Sequence, residues 1–194
     1  MDMSILILLS RLFTSQVTLD AGIAVAGLKS VVMTTLNGKD GACGLNEENK
    51  LRCTSSISAT SEWGTTAQGN TPTFSMIDID GYNICGVVEK GISCSKDWAN
   101  PMWYPLKVPA TQGIRQIQVS GENVCVLTVG NSLYCAVSQK KFELQYAGKL
   151  ESFSMSGDQI CVSKLTTGGI LCSKTFLSSK PSWITLKGTG TKSS

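Results

Sequence analysis

Eight cysteines are the residues of this 194-residue chain best suited to do chemistry, and they fall into four pairs. The members of a pair lie 10, 9, 10 and 11 residues apart, and a glycine precedes each pair by four or five residues. Zinc sites usually bring two cysteines within about two to four residues of each other or add histidine, and this chain has neither feature. The spacing therefore predicts no metal site and four disulfides within repeats: Cys43–Cys53, Cys85–Cys94, Cys125–Cys135 and Cys161–Cys172.

Catalysis is poorly supported because the chain contains no histidine. Ser-His-Asp and Cys-His arrangements need an imidazole base near neutral pH, and paired cysteines leave no thiolate nucleophile. Asp78 and Asp80 share one strand face, as the carboxylates of a glycosidase would, but the other repeats have no acid at these positions. We expect a solvated strand edge there, no cofactor, and a protein that is not an enzyme.

Polar residues around the repeated glycine are better candidates for a binding site, because equivalent loops of a repeat array can present several similar sites. Paired donors and acceptors suit sugar hydroxyls, whereas the structural alternative is that Asn, Asp and Gly only make tight turns. The candidates in these loops are Asp40, Tyr82, Asn83, Glu122, Asn123, Asp158 and Gln159.

Two tryptophans complete the set of candidate ligand-binding residues. Trp98 has no counterpart in the other repeats, so its ring is predicted to offer a flat face to a sugar or an apolar partner group. An ordinary cap over the neighbouring strands is the alternative. Trp103 occupies a position that recurs as Trp63 and Trp183, where packing between repeats is expected and ligand contact is a second role.

The elements that position these residues repeat with 42, 40 and 36 residues between successive first cysteines. Each unit has an alternating run rich in β-formers (strand A), strand B with the first cysteine, a polar turn, strand C with the second cysteine, and strand D, which often opens with an aromatic residue. Such periods predict an all-β fold, a β-propeller of four-stranded antiparallel blades, with repeats near residues 23–69, 70–109, 110–148 and 149–188.

The number of predicted strands is compatible with two ways of closing the ring. Residues 17–22 match the strand D pattern, which gives four A-B-C cores and five candidate D strands. A closed four-bladed ring is favoured, and a larger ring completed by further sequence or by association is the rival.

Disulfides form in oxidising compartments, so the chain is predicted to be secreted and extracellular. Residues 1–16 contain a short apolar run without a basic start, and we expect a weak or truncated signal peptide, with an incomplete N-terminus as the alternative. Residues 17–194 would then form one propeller domain without a membrane span. A net charge of +3 without a basic block does not favour nucleic acid as a partner.

The repeats share an order of features: an aromatic residue, then Gly-Leu/Ile-x-x-Ile/Phe, then a glycine and a short strand. This order resembles the tectonin-type propeller lectins, a family that includes fish-egg and tachylectin-like lectins. The clearest matches run from Trp103 through residues 114–121 and from Phe142 through residues 148–157. The cysteine pair in every blade and the unit count depart from that family.

The resemblance implies a secreted lectin that recognises glycans on cell or microbial surfaces, as proteins of innate immunity do, with weak sites combining through avidity. The alternative is a secreted protein-interaction or structural propeller that binds secreted or surface proteins and no sugar. Assembly into a homo-oligomer is compatible with both functions.

Overall fold

The structure is a computed structural model that describes residues 28–36, 39–54, 63–65, 71–109, 113–165, 169–173 and 181–186. The predicted signal peptide and the D-like run at residues 17–22 lie outside the described residues.

The described strands form four antiparallel sheets of four, and each sheet is a simple meander of consecutive strands. Blade 1 contains β1 Leu28–Leu36, β2 Lys39–Asn46, β3 Leu51–Thr54 and β4 Gly64–Thr65. Blade 2 contains β5 Met76–Asp80, β6 Asn83–Val88, β7 Gly91–Ser95 and β8 Tyr104–Leu106. Blade 3 contains β9 Ile114–Ser120, β10 Asn123–Thr128, β11 Ser132–Ala136 and β12 Phe142–Ala147. Blade 4 contains β13 Leu150–Ser156, β14 Gln159–Lys164, β15 Ile170–Ser173 and β16 Ile184–Leu186. The prediction of four-stranded blades is confirmed.

The repeated glycine has a conformational role in three of the four blades. Gly81, Gly121 and Gly157 open the turn between strands A and B with φ of 59°, 55° and 59°. A Cβ built at any of the three would meet no atom within 4 Å, so space does not select glycine there. The left-handed backbone selects it, because side chains with a Cβ are disfavoured at positive φ.

All four predicted disulfides are confirmed, with S–S distances of 2.02 to 2.06 Å. In every blade the two cysteines lie directly opposite each other on strands B and C. Directly opposed residues of an antiparallel pair are close enough for a bridge. Each bridge closes a loop of about ten residues, which the loop-entropy model values at roughly 2.7 kcal/mol.

Each blade has a forward face, which carries the disulfide and contacts the next blade, and a backward face, which contacts the previous one. In blade 3, for example, Cys125 lies on the forward face and Val124 on the backward face. Three hydrophobic clusters fill the junctions between blades 1 and 2, 2 and 3, and 3 and 4. The core is therefore divided into three layers between blades, and the first three disulfides belong to these layers.

The hairpin of blade 1 differs from its counterparts. Val32 lies opposite Cys43, as Asp78 lies opposite Cys85, but the ladder of blade 1 continues for two more residue pairs, to Leu36 opposite Lys39. The described ladder of blade 1 therefore extends two residue pairs further from the disulfide than the ladders of the other blades.

Blades 1 and 4 share no hydrophobic cluster among the described residues. Strand A of each blade contacts strand A of the next, from β1 to β5, β9 and β13, and no contact of this extent joins β13 to β1 in the described strands. The described residues therefore form an arc of four blades in which blades 1 and 4 share no hydrophobic junction.

Candidate functional site

The turns between strands A and B lie along one rim of the arc, which we call the turn rim. Gly81 N–H donates to Thr34 Oγ1 of the preceding blade at 2.8 Å. Gly121 N–H donates to the Asp80 carboxylate and Gly157 N–H to Ser120 Oγ, both at 2.7 Å. The same glycine thus ties each turn to the blade before it, and the loops are held in a fixed order along the rim.

Asp78 and Asp80 are structural residues of this linkage. The carboxylate of Asp78 accepts the Val119 N–H at 2.6 Å, and that of Asp80 accepts the Gly121 N–H. Asp78 therefore satisfies a backbone donor of β9, which has no strand partner on that side, and Asp80 satisfies a donor of the turn that follows β9. Asp80 is exposed, as expected for a solvated strand edge, whereas Asp78 is partly buried, because the sequence does not show that another strand passes beside it.

The predicted loop residues differ in exposure along the turn rim. Tyr82 is 46% exposed, Asn83 and Asn123 are partly buried, and the side chain of Asp40 lies outside the described set. Glu122, Asp158 and Gln159 are exposed. The rim therefore presents different chemistry at each blade, and not four copies of one site.

Trp98 is 6% exposed and packs into the cluster between blades 1 and 2. Its Nε1–H donates to the carbonyl of Gly81 at 3.1 Å, and its backbone N–H donates to the carbonyl of Tyr82 at 3.1 Å. The prediction that its ring offers a flat open face is therefore not met. Trp98 caps the junction and holds the turn of blade 2, because the loop after β7 folds back over the rim.

Trp103 and Trp183 lie in the packing position expected for strand D. Trp103 stacks on Phe74 with ring centroids 4.9 Å apart, and Trp183 meets Tyr146 edge-on at 5.3 Å. Both contacts lie in the junction with the preceding blade. Trp103 is half-buried and its Nε1 is buried without a hydrogen-bond partner, so the structure assigns this residue a packing role.

Two loops meet on the turn rim between blades 2 and 3. Lys96, just after β7, forms an ion pair with Glu122 in the turn of blade 3, with an N–O distance of 2.7 Å. Their side chains are 57% and 48% exposed, so the pair contributes little to stability. It does place one positive and one negative group side by side at the surface, available to a ligand.

A strained turn follows β11 at the same place. Ser138 and Gln139, in the 3₁₀ segment Val137–Gln139, both have positive φ, 48° and 52°, which is unfavourable for residues other than glycine. The Ser138 N–H donates to Asn123 Oδ1 at 3.2 Å, and Gln139 Nε2 lies 3.5 Å from Asn83 Oδ1. Both asparagines from the sequence prediction therefore hold this turn.

Gln139 itself was missed by the sequence analysis. It is only 5% exposed, and its Oε1 is buried without a hydrogen-bond partner. A polar residue in a polar loop gives no signal of burial, since burial here depends on blade 2 lying beside blade 3. Backbone strain and an unpaired buried amide oxygen are features that collect at functional positions.

Tyr104 lies beneath this part of the rim, packed against the junction between blades 2 and 3. Burial, with the nearby negative charge of Glu122, raises the pKa of Tyr104 to about 12. Its hydroxyl is buried without a hydrogen-bond partner, so the phenol is held neutral in an environment that disfavours the phenolate. Tyr82, Asn83, Lys96, Glu122, Asn123 and Gln139 form what we call the blade 2–3 site.

In the described part of the chain, no three His, Cys, Asp or Glu side chains are grouped to hold a metal ion. No helix among the described residues is long and apolar enough to cross a membrane.

Comparison with known proteins supports the fold and assigns no family. No protein-family model matches the sequence, and no curated protein matches it. Solved structures match in fold. U3-55K aligns with a TM-score of 0.60 and 12% identity over 84% of this chain and 53% of its own. The N-terminal domain of Nup159 aligns with a TM-score of 0.57 and 10% identity over 80% of this chain and 43% of its own.

A third match, the structure of YCF48 bound to D1 peptide, has a TM-score of 0.53 and 16% identity over 82% of this chain and 56% of its own. The protein is thus an all-β propeller with four-stranded blades and one disulfide in each blade. The chain spans about half the length of the structures that it matches.

Proposed function

We propose that this chain is a secreted protein-interaction propeller that binds an extended segment of a partner protein at the blade 2–3 site. The observation that carries the proposal is the concentration of exposed, charged and strained groups at one place on the turn rim. Tyr82 is nearly half exposed there, the Lys96–Glu122 pair offers both charges, and the strained Ser138–Gln139 turn lies beside them with one unsatisfied, buried amide oxygen. The corresponding turn of blade 4, Asp158–Gln159, is simply exposed.

The chemistry of these groups suits a peptide better than a sugar. Asn83 and Asn123 use their Oδ1 atoms within the site, and their Nδ2 groups are donors that suit the carbonyl of a peptide bond. A tyrosine supplies a large contact area at small entropic cost, which is why it is common at protein interfaces. Among the matched structures, YCF48 was solved with a peptide bound. Four disulfides fit an extracellular protein, and we propose binding without catalysis.

Glycan recognition is the second candidate. The exposed polar pairs of the rim, such as Asp158 and Gln159, offer donors and acceptors to sugar hydroxyls, which is the observation in its favour. Sugar sites usually add an exposed aromatic face, and Trp98 is buried while Trp103 packs on Phe74. Tyr82 is the exposed aromatic side chain left among the candidates.

The test pans a displayed library of random linear peptides on the oxidised protein and runs a broad glycan array in parallel. Enriched peptides are expected to lose at least about tenfold in affinity on Tyr82→Ala and on Glu122→Lys, as contacts central to an interface do. Asp158→Lys is the matched control, because it reverses the same kind of charge at the same turn position in blade 4.

No enriched peptide, or equal losses with Asp158→Lys and Glu122→Lys, would contradict the proposed site. A selective glycan signal that Tyr82→Ala removes, together with a blank peptide selection, would establish the lectin function instead.

A further inference from the structure

The rim opposite the turn rim carries the turns between strands B and C, and one position there divides the blades into two pairs. The first residue after strand B lies four positions after the first cysteine in every blade: Glu47, Glu89, Val129 and Leu165. All four are exposed, and Val129 and Leu165 are 60% and 52% exposed. Blades 1 and 2 therefore present a negative charge where blades 3 and 4 present an apolar side chain.

The backbone holds both apolar side chains in the same place on their blades. The Val129 N–H donates to the Gly113 carbonyl at 2.7 Å, and the Leu165 N–H donates to the Lys149 carbonyl at 2.9 Å. Each hydrogen bond joins the turn to the residue just before strand A of the same blade. A single exposed apolar residue needs no explanation, but two held at one position on neighbouring blades repeat a feature that scattered exposure does not produce.

An arginine lies between the two apolar turns. Arg115 is the second residue of β9, and its guanidinium donates to the Leu150 carbonyl at the start of β13. Val129 lies at the same end of β9, since a Cβ built at Gly113 would be 3.5 Å from its Cγ2. Leu150 directly follows the residue whose carbonyl holds Leu165. Arg115 is exposed, and a guanidinium has five N–H donors in one plane, so it keeps donors for a carboxylate.

Two lysines and one glutamate add to the charge at this place. Lys149 is exposed, Lys164 is partly buried, and the exposed Glu151 is the second residue of β13. With Arg115 they make three positive side chains and one negative, so the net charge is positive. The two apolar and three positive side chains form what we call the blade 3–4 patch: Val129, Leu165, Arg115, Lys149 and Lys164.

We propose that the blade 3–4 patch binds an acidic segment of a partner protein, with an apolar residue on each side of an aspartate or glutamate. The apolar residues of the segment contact Val129 and Leu165, and its carboxylate accepts hydrogen bonds from Arg115 between them. Charge complementarity favours an acidic partner, because a positive patch disfavours a basic one. An anionic lipid surface is less well matched, since its recognition usually takes about four to eight Lys or Arg side chains.

The other two blades show why the segment is confined to this half of the rim. Glu47 and Glu89 occupy in blades 1 and 2 the position of the two apolar side chains, and like charges disfavour an acidic partner there. The patch also lies on the opposite rim from the blade 2–3 site, because strand B runs from one rim to the other. The inference therefore does not depend on the proposed peptide site.

The test selects random linear peptides on the oxidised full chain and discards those that still bind a Val129→Asp variant. The remaining peptides are expected to carry an acidic residue between two apolar residues. Their affinity should fall by at least about tenfold on Leu165→Asp and on Arg115→Glu, and it should fall as salt is added. Glu89→Ala is the matched control, because it changes the same turn position in blade 2 and should leave the affinity unchanged.

Exchanging the charges separates a loss of binding from a loss of fold. Peptides in which lysine replaces the acidic residue should bind the Arg115→Glu variant more tightly than the wild type, and far-ultraviolet circular dichroism verifies that each variant is folded. No remaining peptide, peptides that lack the acidic residue, or an affinity that Leu165→Asp leaves unchanged would overturn the proposal. Binding to vesicles that contain phosphatidylserine, together with a blank peptide selection, would overturn it in favour of a lipid surface.

Discussion

The junction between blades 3 and 4 and the forward face of blade 4 use the same strand positions with opposite results. At the junction, Gln116 Nε2 donates to the Phe153 carbonyl at 2.8 Å and its Oε1 accepts the Phe153 N–H at 3.2 Å. On the forward face of blade 4, Ser152 pairs with Ser163 of its own blade, and Ser154 has no partner.

The difference shows where the stability of a blade array resides. A blade by itself satisfies its ladder hydrogen bonds, but its apolar faces and the free edge of strand A depend on the neighbouring blade. Phe153 is 0% exposed only because blade 3 covers it, whereas Met33 in blade 1 remains 40% exposed. The same kind of residue therefore contributes much at a junction and little at an end face.

Two methionines at one register position give the largest expected contrast. Met155→Ala should lower the free energy of unfolding by about 2–4 kcal/mol, because it opens a cavity in the cluster between blades 3 and 4. Met33→Ala should cost less than about 1 kcal/mol, because its side chain is already 40% exposed to water. Denaturant unfolding of the oxidised variants at low protein concentration measures both values.

Equal losses for the two methionines would contradict the contrast between junction and end face.

Two polar residues opposite the first cysteine give a smaller contrast. Gln118→Ala leaves the Met155 N–H without its acceptor and should cost about 1–3 kcal/mol. Ser154→Ala removes a hydroxyl that is already unsatisfied, so the free energy of unfolding should change by no more than about 0.5 kcal/mol. Denaturant unfolding midpoints of the two variants measure both effects. A loss for Ser154→Ala as large as that for Gln118→Ala would refute the comparison.

The last contrast concerns pH and Tyr104, at the junction between blades 2 and 3. Its pKa of about 12 in the folded protein lies above the ordinary value near 10. The unfolded chain therefore releases this proton first as the pH rises, and stability should fall between about pH 10 and pH 12. Tyr104→Phe should abolish that part of the loss and should not reduce stability at neutral pH, because the hydroxyl has no partner.

Denaturant midpoints of wild type and Tyr104→Phe at a series of alkaline pH values test this prediction. Tyr134→Phe serves as the matched control, because Tyr134 is packed against the same cluster. Identical alkaline losses in wild type and Tyr104→Phe would show that the phenol is not protected by the junction.

The strands and the disulfides were predictable because both depend on local pattern. Alternating β-formers indicated a strand A in each repeat, as β9 and β13 show, and the spacing within cysteine pairs selected the four bridges from many alternatives. Turn chemistry was predictable for the same reason, since a glycine at positive φ leaves a local signature. The longer hairpin of blade 1 was not predicted, because its sequence has the same order of apolar run, glycine and cysteine as the other repeats.

The site was predicted only in part. Asn83 and Asn123 do come together with the turn after β11, but the strain at Ser138 and the burial of Gln139 had no local signal. Trp98 was read as exposed because it is absent from the other repeats, and it is buried because its loop folds onto Gly81.

The sequence by itself determined the four-stranded blades, their order and the pairing of the cysteines, because strand periodicity, turn residues and short loops act within one repeat. The tertiary structure decided which polar side chains are acceptors for a neighbour and which apolar faces remain exposed. Those properties arise between blades, where residues separated by about forty positions meet, as Asp78 meets Val119. One repeat cannot encode them, because the free energy of a junction exists only when the second blade is present.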